Sequence, residues 1–142
     1  MPKKTGSAHW EGSLKEGKGT ISTETGALDK QRYGFNSRFG EGHHTNPEEL
    51  IAAAHAACFS MALSNILGDH DLTPDSIDTK ATVQLDQVEG GFEISKIHLD
   101  VTASIPGADE SKFMDAAKAA KEGCPVSKAL AGPTITMDAR LA

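Results

Sequence analysis

The sequence predicts an α+β fold, with antiparallel sheets arranged around a central helix, and three features predict it. Residues 45–68, TNPEELIAAAHAACFSMALSNILG, form one long apolar stretch with helix signals at both ends. Short β-like segments separated by glycines precede it. Two long alternating segments flank Glu89-Gly90-Gly91 after it, and a helical stretch then leads to a last alternating segment.

In chain order, SAHWEGSL and KGTISTET read as strands, broken at Gly17 and turned by Thr25-Gly26-Ala27. RYGFNSRF reads as a third strand, with Tyr33 and Phe35 on one face and Arg38 on the other. The loop GEGHHT then brings Arg38 within reach of Glu48 at the start of the central helix. Asn46 is the candidate N-cap of that helix, Pro47 fits its first position and Glu49 sits where a capping-box carboxylate belongs. Gly68 is placed to end it in a left-handed conformation. Leu50, Ile51, Ala54, Cys58, Met61 and Asn65 lie near one stripe, and the crowded alanines admit a second backbone closely. Such a helix is expected to pack on more than one side.

Beyond the loop GDHDLTPD, Ile77, Thr79, Ala81, Val83 and Leu85 alternate with polar neighbours, as in a half-buried strand. The partner strand runs from Phe92 to Ile105, and its apolar phase slips between Ile94 and Ile97, which predicts a bulge. Asp109 caps a helix reaching Lys121, with Phe113, Met114, Ala117 and Ala120 inward and Gly123 as its stop. Cys124-Pro125 opens a second, short helix. The last strand, TITMDARL, sets Ile135, Met137, Ala139 and Leu141 on one face. The pairing is expected to be antiparallel.

Length and charge narrow the function. A chain of 142 residues reads as a single domain, 1–142, and its alanine-heavy apolar content suggests that a partner subunit completes the core. A net charge of -6 without a Lys/Arg cluster excludes a nucleic-acid surface. No run reads as long enough to span a bilayer and no signal-peptide core is seen, so the expectation is a cytoplasmic protein with no membrane partner. The two cysteines, Cys58 and Cys124, lie 66 positions apart without zinc-ligand spacing. They are either two buried thiols or a redox pair.

Three residues bear on that choice. Arg38 could lie near Cys58 and would then favour a thiolate by its charge. Glu48 would hold the guanidinium, or else only interact with the helix dipole. Cys124 supplies a second thiol. Helix position alone favours Cys124 as the nucleophile, because it opens a helix whereas Cys58 lies in mid-helix.

HWEG at 9–12, GKGTISTETG at 17–26, YGFNSRF at 33–39, TNPEELIAAAHAACFSMALS at 45–64, SIDT at 76–79 and GCPVSKAL at 123–130 together resemble the OsmC/Ohr family of thiol-dependent organic hydroperoxide reductases. The likeness is closer to the OsmC branch. It implies an OsmC-like fold, an intertwined homodimer with sites built by both protomers, and no cofactor. It implies Cys58 as the peroxide-reacting cysteine, Cys124 as the resolving one, and Arg38 and Glu48 as their charged partners. Arg32 stands as the alternative arginine, since the Ohr branch places its arginine elsewhere in the N-terminal region. The implied substrates are an organic hydroperoxide and an external thiol reductant, dihydrolipoyl by analogy with Ohr. The expected chemistry is reduction of the hydroperoxide to an alcohol through a sulfenic acid and a Cys58–Cys124 disulfide, with Ile51, Met61 and Phe39 as apolar walls. Two rival readings are a Cys/His metal site using His55, His43 and His44, and a non-catalytic module that binds oxidised lipid.

Overall fold

Six strands and four helices follow one another as β1 (Gly6–Glu11), β2 (Lys18–Thr23), β3 (Gln31–Tyr33), α1 (Phe35–Phe39), α2 (Pro47–Gly68), β4 (Ser76–Val88), β5 (Gly91–Ser104), α3 (Glu110–Gly123), α4 (Pro125–Ala129) and β6 (Thr134–Leu141). The structure, a computed structural model, describes residues 1–142. It divides into two units, Met1–Leu50 and Ile51–Ala142, with the boundary inside α2.

In the first unit β1, β2 and β3 form an antiparallel sheet, with Trp10 opposite Gly19 and Gly19 opposite Tyr33. Gly19 is glycine for lack of room: a Cβ there would stand 2.5 Å from the Tyr33 ring and 2.7 Å from the Trp10 ring. Those rings pack at 5.5 Å between centroids.

The expected third strand stops at Tyr33, and Phe35–Phe39 is helical instead. Ser37 explains the switch, since its hydroxyl bonds both the N–H and the carbonyl of Gly34 and so fixes a helix start. One turn then stacks Phe35 on Phe39 at 4.9 Å, a pairing that a strand cannot make.

The second unit holds a sheet in the order β4-β5-β6. β4 alternates between exposed and half-buried residues as expected, and Ser95 is the extra residue where the register shifts opposite Gln84 and Leu85. β6 pairs with β5 in parallel, so the sheet is mixed rather than wholly antiparallel. The cause is topological: α3 and α4 carry the chain back across the sheet before β6 begins. Phe59, Leu63 and Leu67 of α2, Leu99 and Val101 of β5, and Phe113, Ala117 and Ala120 of α3 form a fully buried core. Met114, expected inward, is exposed, and Ala116 takes its place.

α2 starts as expected, with the Asn46 side chain accepting from the Glu49 N–H at 2.8 Å. It ends differently. The left-handed residue is Asp71, at φ 58°, and the Leu72 N–H reaches Leu67 O while the Asp71 N–H reaches Gly68 O. That is a Schellman arrangement, locked by burial of Leu67 and packing of Leu72 on the core. The stripe foreseen on α2 is also rotated. His55, Phe59, Leu63 and Leu67 are buried, whereas Ala54, Met61 and Asn65 are exposed, Met61 by 76%. A helix apolar all round gives a sequence no means of choosing its buried face. At 22 residues, with mean hydropathy 1.7 over an 18-residue window, α2 has the length and composition to cross a membrane, contrary to the reading above. Here one face of that apolar surface is spent on the protein core.

Candidate active site

The charged residues belong to the first unit. Arg38, in the last turn of α1, donates from Nε and Nη2 to the Oε1 of Glu48, at 2.9 and 2.8 Å. Glu48 stands in the first turn of α2 and is buried, and Arg38 is about one-third exposed. Both donors use one oxygen, and the buried Oε2 has no partner. The guanidinium also lies 5.2 Å over the Phe39 ring. With Trp10, Leu14, Tyr33, Gly34, Phe35 and Phe39 it lines an apolar-walled cavity of about 180 Å³. Arg32, the alternative, lies on β3 and lines a separate cavity with Lys15, Lys18, His43 and His44.

The thiols belong to the second unit. Cys58, in the middle of α2, is half-buried, and Cys124 is sealed at 0% exposure; both are free. Cys58 packs against the buried core cluster that contains Cys124. Burial pushes the Cys58 thiol above its ordinary pKa. The Val126 N–H opposes that shift, and the Cys124 thiol adds to it. Cys124 is the N-cap of α4, and its Sγ accepts the Ser127 N–H at 3.3 Å. α4 is only five residues long, so the dipole argument for Cys124 as the nucleophile loses force. Accessibility favours Cys58.

Arg38 thus meets Glu48, and Cys58 packs on the core that holds Cys124, one pair in each unit. Ile51 is half-buried. Two polar neighbours of the thiols were not read as thiol partners from the sequence. Ser127 Oγ lies 3.0 Å from Cys124 Sγ and 2.8 Å from His55 Nε2, all three buried. The signal for Ser127 was its place three residues beyond an N-cap, where a cap's partner sits. The sequence offers His55 only as a candidate metal ligand.

An α+β scaffold that sets one accessible and one sealed thiol in one core defines a dithiol protein. The model for the OsmC-like protein family matches residues 40–138. Peroxiredoxin OsmC of Escherichia coli is 57% identical over 138 residues, covering 97% of this chain and 96% of that one. The organic hydroperoxide resistance protein OhrB of Bacillus subtilis is 34% identical over 115 residues, 80% of this chain and 82% of that one. The crystal structure of OhrB superposes with a TM-score of 0.68 at 27% identity, covering 97% and 98% of the two chains. The chain belongs to the OsmC family.

Proposed function

We propose that this protein is a cysteine-based peroxidase that reduces organic hydroperoxides to alcohols, with Cys58 as the nucleophile and Cys124 as the resolving thiol. The observation that carries this reading is the placing of two free thiols 66 positions apart in one core, Cys58 half-buried against the cluster in which Cys124 is sealed. The names of the relatives, a peroxiredoxin and an organic hydroperoxide resistance protein, point to the same reaction class.

The Cys58 thiolate attacks the outer peroxide oxygen. The O–O bond breaks, the alkoxide leaves as alcohol after protonation, and Cys58 carries the sulfenic acid. Arg38 orients the peroxide and stabilises the leaving oxygen. Its Nε and Nη2 are committed to Glu48 Oε1, which leaves the Nη1 end as donor. Removing Glu48 takes two charge-assisted bonds from the guanidinium, an interaction worth about 1.5–3 kcal/mol each. Cys124 then displaces the sulfenic oxygen as water, and an external thiol, a dihydrolipoyl group by family analogy, reduces the disulfide. The aromatic wall beside Arg38 favours an organic R group over hydrogen peroxide. A homodimer and a cytoplasmic setting belong to the same reading.

The test is thiol-dependent consumption of cumene hydroperoxide against hydrogen peroxide, with intact masses read after one equivalent. Wild type should lose about two mass units per subunit, Cys124→Ser should gain oxygen, and Cys58→Ser should stay unchanged. Bound hydroperoxide with both thiols unaltered would instead mark a binding module. Oxygen arriving on Cys124 in Cys58→Ser at the wild-type rate would reverse the two roles.

A further inference from the structure

The hydroxyl of Ser127 sits between a thiol and an imidazole, with Cys124 Sγ at 3.0 Å on one side and His55 Nε2 at 2.8 Å on the other. The three groups come from the corner before α4, the body of α4 and the middle of α2, and 72 positions separate His55 from Ser127. His55 is fully buried, and its Nδ1 has no partner. Burying an imidazole with one nitrogen unpaired disfavours the fold. An apolar residue of similar size would fill the same space without that cost. A histidine kept there at a penalty, with its one bond aimed at the hydroxyl that touches the resolving sulfur, calls for a chemical explanation.

We propose that Ser127 and His55 form a buried proton relay serving Cys124 in the disulfide-forming step. The proposal rests on the reading of Cys124 as the resolving thiol. In the resting state the Cys124 S–H donates to Ser127 Oγ, and the Ser127 O–H donates to His55 Nε2. As Cys124 attacks the Cys58 sulfenic sulfur, its proton passes to Ser127 Oγ while the serine's own proton moves to His55 Nε2. The S–S bond forms and the S–O bond breaks. The departing hydroxide takes a proton from solvent at half-exposed Cys58 and leaves as water. One sulfur is reduced from the sulfenic level and the other is oxidised from the thiol level, so no further oxidant enters. His55 passes that proton on to solvent once the disulfide has formed, and when two equivalents of external thiol reduce the disulfide, Cys124 leaves as a thiolate and regains a proton through Ser127.

Burial holds His55 below its ordinary pKa, which keeps the resting ring neutral and able to accept. In the reversed polarity the Ser127 O–H and the Ser127 N–H both point at the sulfur, so the thiolate receives two donors. Ser127, which touches a reacting atom, is a catalytic residue in this scheme. His55 acts through it and is a positioning residue.

The experiment separates the two chemical steps. Purified protein is mixed with one equivalent of cumene hydroperoxide in a rapid-quench instrument. Sulfenic acid is trapped with a dione probe, and disulfide is read by intact mass. In Ser127→Ala, sulfenic acid should form within about twofold of the wild-type rate while disulfide formation slows tenfold or more, the scale of a lost general base. His55→Gln, which keeps a polar partner for the hydroxyl but accepts no proton, should slow the same step alone. Ser127→Thr, which restores the hydroxyl, should recover to within about threefold. Wild-type disulfide formation should also show a solvent deuterium effect of about two or more, absent from Ser127→Ala.

Disulfide formation in folded Ser127→Ala within twofold of wild type overturns the relay. So does equal slowing of both steps, which marks a purely structural role. If Ser127→Ala does not fold, the wild-type isotope effect decides, and its absence overturns the relay. A wild-type protein that forms no disulfide overturns the peroxidase reading itself, and the relay with it.

Discussion

At the scale of single residues, the state of Cys58 is set by opposing influences. Burial and the neighbouring thiol disfavour the thiolate, while one backbone N–H favours it. A cation is what the proposed mechanism adds to that balance. Arg38→Ala should therefore move the pH midpoint of Cys58 oxidation upward. Below that midpoint the rate at fixed pH falls about tenfold for each unit of pKa shift. Lys at this position should restore only part, because it has no planar edge to hold against Glu48. An unmoved midpoint in stopped-flow pH profiles, or a larger loss from Arg32→Ala, would remove Arg38 from the role. His55 makes a separate prediction. Its folded pKa lies below 6.5, so as pH falls past 6.5 the unfolded chain binds a proton that the native ring refuses. Its contribution to stability is present above pH 6.5 and is lost as pH falls through the folded value. Melting curves at pH 7 and pH 5 should show a smaller acid loss in His55→Gln than in wild type. Of these residues, the meeting of Arg38 with Glu48 was legible from the short loop between them, and the roles given to Cys58, Cys124, Arg38 and Glu48 came from the family resemblance. Ser127 and His55 were not legible, because a contact across 72 positions leaves no local pattern.

At the scale of elements, periodicity served well wherever one face was buried and the other wet. β4, β6 and the slip at Ser95 were all foreseen, since alternation is a direct imprint of a half-buried sheet. α1 was misread because Tyr33 and Phe35 alternate like strand residues, while the pair that mattered was Phe35 and Phe39, four apart. The parallel β6 was missed because alternation is the same in either direction; the helical crossover before it held the information. The end of α2 was assigned to Gly68 by residue type, yet the turn places Asp71 in the left-handed region. Asp71→Val should cost about 1–2 kcal/mol there, whereas Asp71→Gly should be neutral or stabilising. Thermal melts of the two variants check this, and a Val variant that melts with wild type would show that the turn relaxes.

At the scale of the whole molecule, α2 leaves Ala53, Ala54, Ala57 and Met61 exposed on a helix that is apolar on every side. Small residues with one large apolar neighbour suit close approach by a second copy of the chain, and a lone subunit would leave that stripe in water. We expect a dimer by sedimentation at micromolar concentration. Met61→Glu should shift it toward monomer and lower its Tm. A folded wild-type monomer under those conditions would count against the intertwined arrangement. The two thiols lie at the junction of α2 with the corner between α3 and α4, and oxidation there would turn core packing into a crosslink. A bond closing a 66-residue loop removes chain entropy from the unfolded state worth about 4 kcal/mol at 25 °C, before any native strain. For a chain of this size that corresponds to roughly 10 °C in Tm. The oxidised protein should melt well above the reduced one, with Cys124→Ser insensitive to oxidation state. Each turnover would then pass through a stiffer molecule, so that resistance to heat or protease reports how much of a population awaits its reductant.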